Sequence, residues 1–387
     1  MEKIILAASF VLLEIFSGCT ESVAQPLFRI HSLAEEDVAL LIPVRVSHRS
    51  DWAKDILKVF TDLHLPSSPS NVCSVLAVIQ QETGFQANPA VSGMRRIILS
   101  ELESKYGKYG KQAVKKMLDV TPPGERQTYW SRLMTAKTEY DVDRVFREYL
   151  IYQEVSHPKL ISMATFAGKT FGIDDLDQLN RITTVGSMQV SVHFSQEQAK
   201  FNGIGAWQTR EFLYTRYGGI FYGVLRLLGY SVDYSDPIYR FADYNLGMYA
   251  SRNAAFQQQL SALLGYRLAL DGDLLRYTKS GAVDSVDSES EKTIQAFAKR
   301  FVPNLDNATI HNDLFLEKTA TFESSKTYLA IKQAFAARYG TPVYARLPVM
   351  EIKSPKIRSR LTTAIYAKSV DRKYMQCIRQ IELLSPS

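Results

Sequence analysis

A glutamate at the end of one helical segment is the residue whose setting best suits acid chemistry. Residues 71–84 have helical spacing, which sets Glu82 about 20° from Val75 and about 40° from Val78 around the helix axis. The carboxyl therefore projects from the apolar face, in the last turn. Burial and the negative end of the helix dipole both disfavour its ionised form. A carboxyl that stays protonated near neutral pH suits a general acid for glycosidic cleavage. The alternative is a helix-end glutamate that reaches out to solvent.

The same segment carries signals for the start and the stop of a helix. Ser70 or Asn71 is expected to cap the first turn by accepting an unpaired backbone N–H. The residues before it, 66–70, predict a turn or linker. Gly84 sits where a left-handed residue beyond the helix end is expected. The pattern therefore predicts a helix whose final turn carries Glu82.

Three segments resemble, in the right order, the motifs of soluble lytic transglycosylases and their lysozyme-like relatives. Residues 82–92 are similar to a helix end of Glu-Ser-Gly-Phe that runs into a short Asn/Pro/Ala segment. Residues 185–190 resemble the Gly-Leu-Met-Gln motif that lines the saccharide cleft. Residues 242–247 resemble the Ala-Tyr-Asn-Ala-Gly motif. Residues 217–228 lie between them, where the family has a helix with a Gly and a Tyr-Leu pair.

This resemblance implies an enzyme that cleaves peptidoglycan between N-acetylmuramic acid and N-acetylglucosamine. Glu82 would be the catalytic acid that protonates the linking oxygen. The substrate's own C6 hydroxyl would then close onto C1 and leave a 1,6-anhydro end, without a cofactor. The substrate-binding residues that the resemblance implies are Thr83, Phe85, Met188, Gln189, Tyr244 and Asn245.

Each of these positions has an expected role by resemblance. Gln189 and Asn245 would bind sugar amides or hydroxyls, and Tyr244 would orient the carboxyl or the sugar. Phe85 and Met188 would wall the site and exclude water. Taken singly, a core aromatic or a solvated glutamine explains such residues equally well.

The sequence departs from the family pattern in several places. Thr83 stands for Ser and keeps its hydroxyl, Ser187 stands for Leu, and Asp243 intrudes before Tyr244. The stretch between Glu82 and the second motif is also longer than the family needs. That stretch is mostly helical by pattern and is expected to be a helical insertion.

Two alternative functions remain open on these residues. A hydrolytic muramidase needs a second carboxylate to activate water, about 6.5–9.5 Å from the acid in an inverting enzyme. A catalytically inactive lipoprotein that binds peptidoglycan or assists its assembly needs neither carboxylate. The carboxylates available for hydrolysis are Asp174, Asp175, Asp177 and Asp243.

Helical periodicity dominates the chain, so the expected fold is mainly α with a lysozyme-like, soluble lytic transglycosylase-type core. Residues 212–228 predict one helix, and 343–352 predict a strand. The expected organisation is a signal peptide over 1–18, a tether and N-terminal helix over 19–67, a lysozyme-like domain over 68–265 with an insertion at about 93–181, and a mostly helical region over 266–387.

The N-terminus resembles a bacterial lipoprotein signal peptide. Residues 4–13 form an almost entirely apolar run that is too short to span a bilayer. Ser17 and Gly18 come directly before Cys19, the residue that such signals acylate. The resemblance implies a periplasmic protein with a lipid on Cys19, anchored to the outer membrane because Thr20 follows the cysteine and not Asp. The alternative is an ordinary cleaved signal peptide.

The net charge and the spacing of the histidines limit the classes of molecule that the protein is expected to bind. The formal net charge of +6 suits an anionic partner such as peptidoglycan or phospholipid. No nucleic-acid-binding signature appears. The expected partners are therefore glycan strands and, through the lipid, the membrane, but not nucleic acid. The six histidines show no ligand spacing, so no metal site is predicted.

Two cysteines remain besides Cys19. In an oxidising compartment Cys73 and Cys377 can form a disulfide. They are equally compatible with two buried, unpaired thiols, because the sequence does not show their proximity.

Overall fold

The computed structural model describes residues 32–107, 110–156, 182–278, 282–352 and 361–384. These residues form helices and two short two-stranded antiparallel sheets, so the predicted mainly α class is confirmed. The predicted signal peptide and Cys19 lie outside the described residues, as do the candidate carboxylates Asp174, Asp175 and Asp177.

The described elements run in chain order as follows: α1 Glu35–Leu41, α2 Arg49–Asp62, α3 Pro69–Glu82, α4 Met94–Tyr106, α5 Lys111–Leu118, α6 Tyr129–Thr135, α7 Glu139–Ser156, β1 Thr184–Val185, β2 Val190–Ser191, α8 Val192–Lys200, α9 Ala206–Leu213, α10 Arg216–Leu228, α11 Pro237–Leu246, α12 Ala250–Leu264, α13 Glu289–Phe301, α14 Asn307–Leu314, a 3-10 turn Ala320–Ser324, α15 Lys326–Tyr339, β3 Glu351–Ile352, β4 Leu361–Thr362 and α16 Thr363–Leu384.

Helix α3, which carries Glu82, begins earlier than the cap prediction. Ser68 is the N-cap and accepts from the Asn71 N–H at 3.3 Å. Pro69 takes the first helical position, where its missing N–H is no loss, so the predicted turn is shorter than expected. The other end follows the prediction: Glu82 is the last helical residue, and Gly84 has a left-handed φ of 58°.

The principal core surrounds α3. Every residue from Val72 to Ile79 is buried. Helix α16 packs along α3 and α11, and it runs antiparallel to α3, because Tyr366 contacts Glu82 while Cys377 bonds Cys73. The pairing that the sequence left open is therefore a disulfide, with the two Cα atoms 5.6 Å apart. The last helix of the chain is thus covalently joined to the helix that carries Glu82.

The 186–189 turn between β1 and β2 rests against glycines of α10. A Cβ on Gly223 would lie 2.3 Å from the Met188 sulfur, and one on Gly219 would lie 2.8 Å from the Ser187 nitrogen. Only glycine allows this approach. The same Gly219 Cβ would lie 3.0 Å from the Ser187 hydroxyl oxygen. The Ser187 side chain is therefore buried directly against the backbone of α10.

Two element predictions were wrong in detail. Residues 212–228 form two helices, because the Thr215 side chain caps α10 by accepting from the Gly218 N–H at 2.9 Å. The predicted strand over 343–352 is reduced to Glu351–Ile352, which pairs with Leu361–Thr362. Alternation of apolar residues alone did not make a strand there, because the preceding backbone has no partner strand among the described residues.

Two further groups of helices have cores of their own. Helices α4 to α7, within the predicted insertion, pack around one cluster, and α12 to α15 pack around another. The first cluster is formed by Met94, Ile98, Val114, Leu118, Tyr129, Leu133 and Val145. The second includes Phe256, Leu260, Ile294, Phe297, Ile310, Phe322 and Ile331.

The carboxylate of Glu317 is fully buried beside the cluster formed by α12 to α15. It accepts hydrogen bonds from the Leu274 N–H and the Tyr277 hydroxyl. Burial raises the pKa of Glu317 to about 7, against the opposing effects of these donors and of Lys318. Between pH 4.5, the ordinary pKa of a glutamate, and pH 7, the folded protein therefore holds a proton that the unfolded chain has released.

We expect this proton to make the folded state lose stability as pH rises from 5 to 7. The free energy of unfolding should fall by about 2 kcal/mol over that window through Glu317 alone, and Glu317→Gln should remove this component. Urea unfolding at pH 5, 6, 7 and 8 checks the difference between the two proteins. Glu382→Gln, at an exposed site on α16, is the matched control. Parallel pH profiles for wild type and Glu317→Gln would contradict the expectation.

Candidate active site around Glu82

Glu82 meets a tyrosine from the far end of the chain. Its side chain is half-buried, and its Oε1 accepts a hydrogen bond from the Tyr366 hydroxyl on α16. Tyr366 is itself buried. Burial, together with the negative charge of Glu82, raises the pKa of Tyr366 well above its ordinary value. The phenol therefore keeps its proton and acts as a donor at every physiological pH. No sequence motif had singled out Tyr366.

The residue before Glu82 is held by the same helix. The Gln81 side-chain oxygen accepts from the Ser369 hydroxyl and from the Lys373 ammonium, each at 2.8 Å. Three successive contacts, counting the disulfide, therefore set the register of α16 on α3.

Tyr244 was expected to orient the Glu82 carboxyl or the sugar, and its hydroxyl instead bonds the 186–189 turn. It lies on α11, is buried, and donates its hydroxyl to the Met188 carbonyl at 2.8 Å. Burial raises the pKa of Tyr244 well above its ordinary value, the charge of Glu82 adds to the rise, and the charge of Arg226 opposes it. The phenol of Tyr244 is therefore influenced by the charges of Glu82 and Arg226. Its hydrogen bond also joins α11 to the 186–189 turn.

Thr83 and Phe85 are both buried behind the end of α3. The Thr83 hydroxyl donates to the Ser187 carbonyl at 2.7 Å, which joins the first and second predicted motifs directly. Phe85 has a left-handed φ of 67° and packs edge-on against Trp52, with ring centroids 5.4 Å apart. Both side chains therefore hold the chain in place behind Glu82, and their polar or aromatic groups are engaged inside the protein.

The two predicted residues of the second motif, residues 185–190, differ in burial. Met188 is fully buried under the turn, whereas Gln189 is half-buried with a left-handed φ of 49°. The Gln189 amide donates to the Gly186 carbonyl at 3.3 Å and to the Glu139 carboxylate at 3.4 Å. Glu139 is the buried first residue of α7, so the helical insertion contacts the turn. No sequence motif had indicated Glu139.

Asn245, next to Tyr244 on α11, is half-buried, and its side chain makes no hydrogen bond with the described part of the chain. The structure therefore brings the three motif segments together. Of the predicted residues, Gln189 and Asn245 are half-buried, whereas four are buried: Thr83, Phe85, Met188 and Tyr244.

Asp243, considered as a second carboxylate, is fully buried. It accepts from the Tyr230 and Tyr234 hydroxyls and, at 2.6 Å, from the Ser251 N–H. Burial raises the pKa of Asp243, which these donors oppose. Its oxygens tie α11 to the preceding loop and to the start of α12. The intrusion of Asp243 into the motif therefore has a structural explanation.

The described residues contain no group of three or more histidine, cysteine or acidic side chains that could hold a metal ion. Within the same ranges, no helix combines the length and apolar character needed to cross a membrane.

Comparison with known proteins gives the family. The sequence matches the family described as "Protein of unknown function (DUF1615)" over residues 45–380. It is 34% identical over 379 residues to the "Uncharacterized protein YaiW" of Escherichia coli (strain K12), which covers 95% of this chain and 96% of that protein. No solved structure matches the chain. The family match includes Glu82, Tyr244 and Tyr366, and the chain belongs to the DUF1615 family.

Proposed function

We propose that this protein is a peptidoglycan lytic transglycosylase that cleaves between N-acetylmuramic acid and N-acetylglucosamine and leaves 1,6-anhydro ends. The observation that supports it best is the meeting of the Glu82 end of α3 with the 186–189 turn and Tyr244. These three segments are far apart in sequence, and each resembles a transglycosylase motif. On this proposal, the helices around α3 form a lysozyme-like core.

The contact with Tyr366 supports a specific proton route at the Glu82 carboxyl. On this proposal the carboxyl begins the reaction protonated; because the phenol donates to Oε1, its proton is placed on Oε2. Oε2 then protonates the glycosidic oxygen as the bond to C1 breaks. The ionised carboxylate takes the proton of the substrate's C6 hydroxyl as that oxygen closes onto C1. No water is consumed, and one carboxylate is sufficient.

Hydrolysis would need a second carboxylate free to activate water. The hydrogen bonds of Asp243 to two phenols and a backbone N–H argue against it in that role. Glu139, a further carboxylate at the 186–189 turn, already accepts from the Gln189 amide. We therefore favour the transglycosylase reaction over a muramidase.

The proposed setting is the cell envelope. The signal-like N-terminus with Cys19 supports a periplasmic lipoprotein of the outer membrane. The disulfide between Cys73 and Cys377 suits an oxidising compartment. Acyl chains on Cys19 would hold the protein at the membrane through about 0.8 kcal/mol per buried CH2.

The masses of the reaction products test the proposal. The soluble chain from Thr20 onward is incubated with purified peptidoglycan, and the fragments are read by mass spectrometry. Anhydro-muropeptides, one water lighter than hydrolysis products, are the expected result. Reducing ends would reassign the protein as a muramidase. Glycan binding without cleavage would favour an inactive lipoprotein that binds or assembles peptidoglycan.

Tyr366→Phe should lower the cleavage rate by about 10- to 100-fold, because Glu82 loses the donor that fixes its orientation. The variant keeps the buried ring, so the free energy of unfolding should fall by only about 1 kcal/mol. Initial rates on peptidoglycan, beside urea unfolding, separate the two effects. Tyr374→Phe on the same helix, which loses a hydrogen bond to Ser70, is the matched control. Equal rates for both variants would contradict the role of Tyr366.

A further inference from the structure

Arg226 on α10 is a cation without an anionic partner among the described residues. Its guanidinium stacks over the Phe194 ring at 5.1 Å, and it makes no ion pair or hydrogen bond with the described residues. The side chain is half-buried, and loss of solvent lowers the pKa of Arg226. A desolvated charge without a partner costs stability. The packing of the described residues therefore does not explain why an arginine occupies this position, and a bound ligand could.

The three buried arginines each have a carboxylate within ion-pair distance: Arg132 with Glu148, Arg210 with Asp143, and Arg252 with Glu323. Arg226 differs from all three. The carboxylate whose charge it feels most, Asp243, has its oxygens engaged by Tyr230, Tyr234 and Ser251.

The location of Arg226 links it to the site around Glu82. It follows Gly223, the α10 residue against which Met188 packs, by about one helical turn. The hydroxyl of Tyr244 feels the charges of both Glu82 and Arg226, so the three groups lie in one neighbourhood. A ligand bound beside Glu82 can therefore present an anionic group to the guanidinium.

We propose that Arg226 binds a carboxylate of the muramic acid side of the glycan and thereby gives the site its preference for peptidoglycan over neutral glycans. This inference rests on the proposed function, which supplies the substrate. N-Acetylmuramic acid carries a lactyl carboxyl, free in a denuded strand and extended by a peptide with its own carboxylates in a full strand. N-Acetylglucosamine has none. A guanidinium matches a carboxylate with two parallel hydrogen bonds.

Binding to oligosaccharides tests the proposal. The protein carries Glu82→Gln so that ligands stay intact, and calorimetry compares a denuded tetrasaccharide of alternating N-acetylglucosamine and N-acetylmuramic acid, the same sugar with stem peptides, and chitotetraose. The tetrasaccharide with a carboxylate should bind about 10-fold more tightly than chitotetraose, which corresponds to about 1.4 kcal/mol. Tighter binding of only the denuded or only the peptide-bearing sugar identifies the carboxylate that is recognised.

Adding Arg226→Gln should remove this preference and leave the affinity for chitotetraose unchanged, while Arg226→Lys should keep part of it. Arg216→Gln removes an equal charge from the same helix, but that guanidinium already pairs with Asp55, so the preference should survive. A preference that persists in Arg226→Gln, equal affinity for all sugars, or no binding at all would each overturn the inference.

The cleavage assay separates this inference from the proposed function. If the protein with Glu82 cleaves nothing but the carboxylate preference depends on Arg226, the enzymatic proposal fails and the binding residue stands. If anhydro products form and the preference is the same with Arg226→Gln, only the role of Arg226 is lost.

Discussion

Glu82→Gln is expected to lower peptidoglycan cleavage by about 10²- to 10⁴-fold, because the amide can neither donate the proton to the glycosidic oxygen nor accept one from the C6 hydroxyl. The amide oxygen still accepts from Tyr366, so the local geometry should persist. Release of anhydro-muropeptides from purified sacculi, measured as an initial rate at equal protein concentration, checks this expectation.

Glu382→Gln is the control for the loss of a negative charge elsewhere, since this side chain is exposed on α16. It should cleave at the wild-type rate. Both variants should unfold at similar urea concentrations. Cleavage by Glu82→Gln within a few-fold of the wild-type rate would remove Glu82 from the mechanism, whatever the identity of the products.

Replacing both Cys73 and Cys377 with Ser should lower the free energy of unfolding by about 2–5 kcal/mol. The disulfide closes a loop across a sequence separation of 304, which strongly restricts the unfolded chain. Its loss should also release α16 from its register on α3 and weaken the contact between Tyr366 and Glu82. We therefore expect a loss of cleavage that is larger, relative to wild type, at higher temperature.

A thiol reductant supplies the control for the double variant. Reduced wild type should unfold at the same urea concentration as the variant, and the reductant should leave the variant itself unchanged. Equal stability of oxidised and reduced wild type would mean that packing alone holds α16 on α3 and that the covalent bond adds nothing measurable.

The helical character of the chain and the end of α3 were predictable because both depend on local patterns. The glycine at position 84, which takes a left-handed conformation, marks where the helix stops. The start was misplaced because Pro69 was assigned to the turn, although proline is favoured at a first helical position. A proline next to possible capping residues is ambiguous in sequence, because it is common both in a turn and at the first position of a helix.

The order of the three motif segments predicted which of them would meet, but not how each side chain would be used. Thr83 and Met188 were expected to face the substrate and instead lie inside, because Ser187 and the α10 glycines draw the turn inward. Such close approach of two backbones depends on residues of another element. A motif comparison that aligns one segment at a time does not contain that information.

Tyr366 was missed because its partner is 284 positions away and no motif surrounds it. One signal was nevertheless present. If Cys73 is paired with Cys377 on antiparallel helices, Glu82 lies about 14 Å along one helix from the bond and Tyr366 about 16 Å along the other. The two side chains are then nearly level. The assignment of the disulfide would therefore have indicated the tyrosine.

Because Glu82 is contacted by Tyr366 of α16, the surroundings of Glu82 are completed only after α16 has been synthesised. Tyr366 is added to the chain 284 positions after Glu82, and Cys377 is added later still. Until both have been made, the Glu82 carboxyl lacks its contact with the phenol, and a chain that has not met an oxidant lacks the bond between the two helices. If Glu82 is the acid proposed above, unfinished or reduced copies are expected to carry little activity.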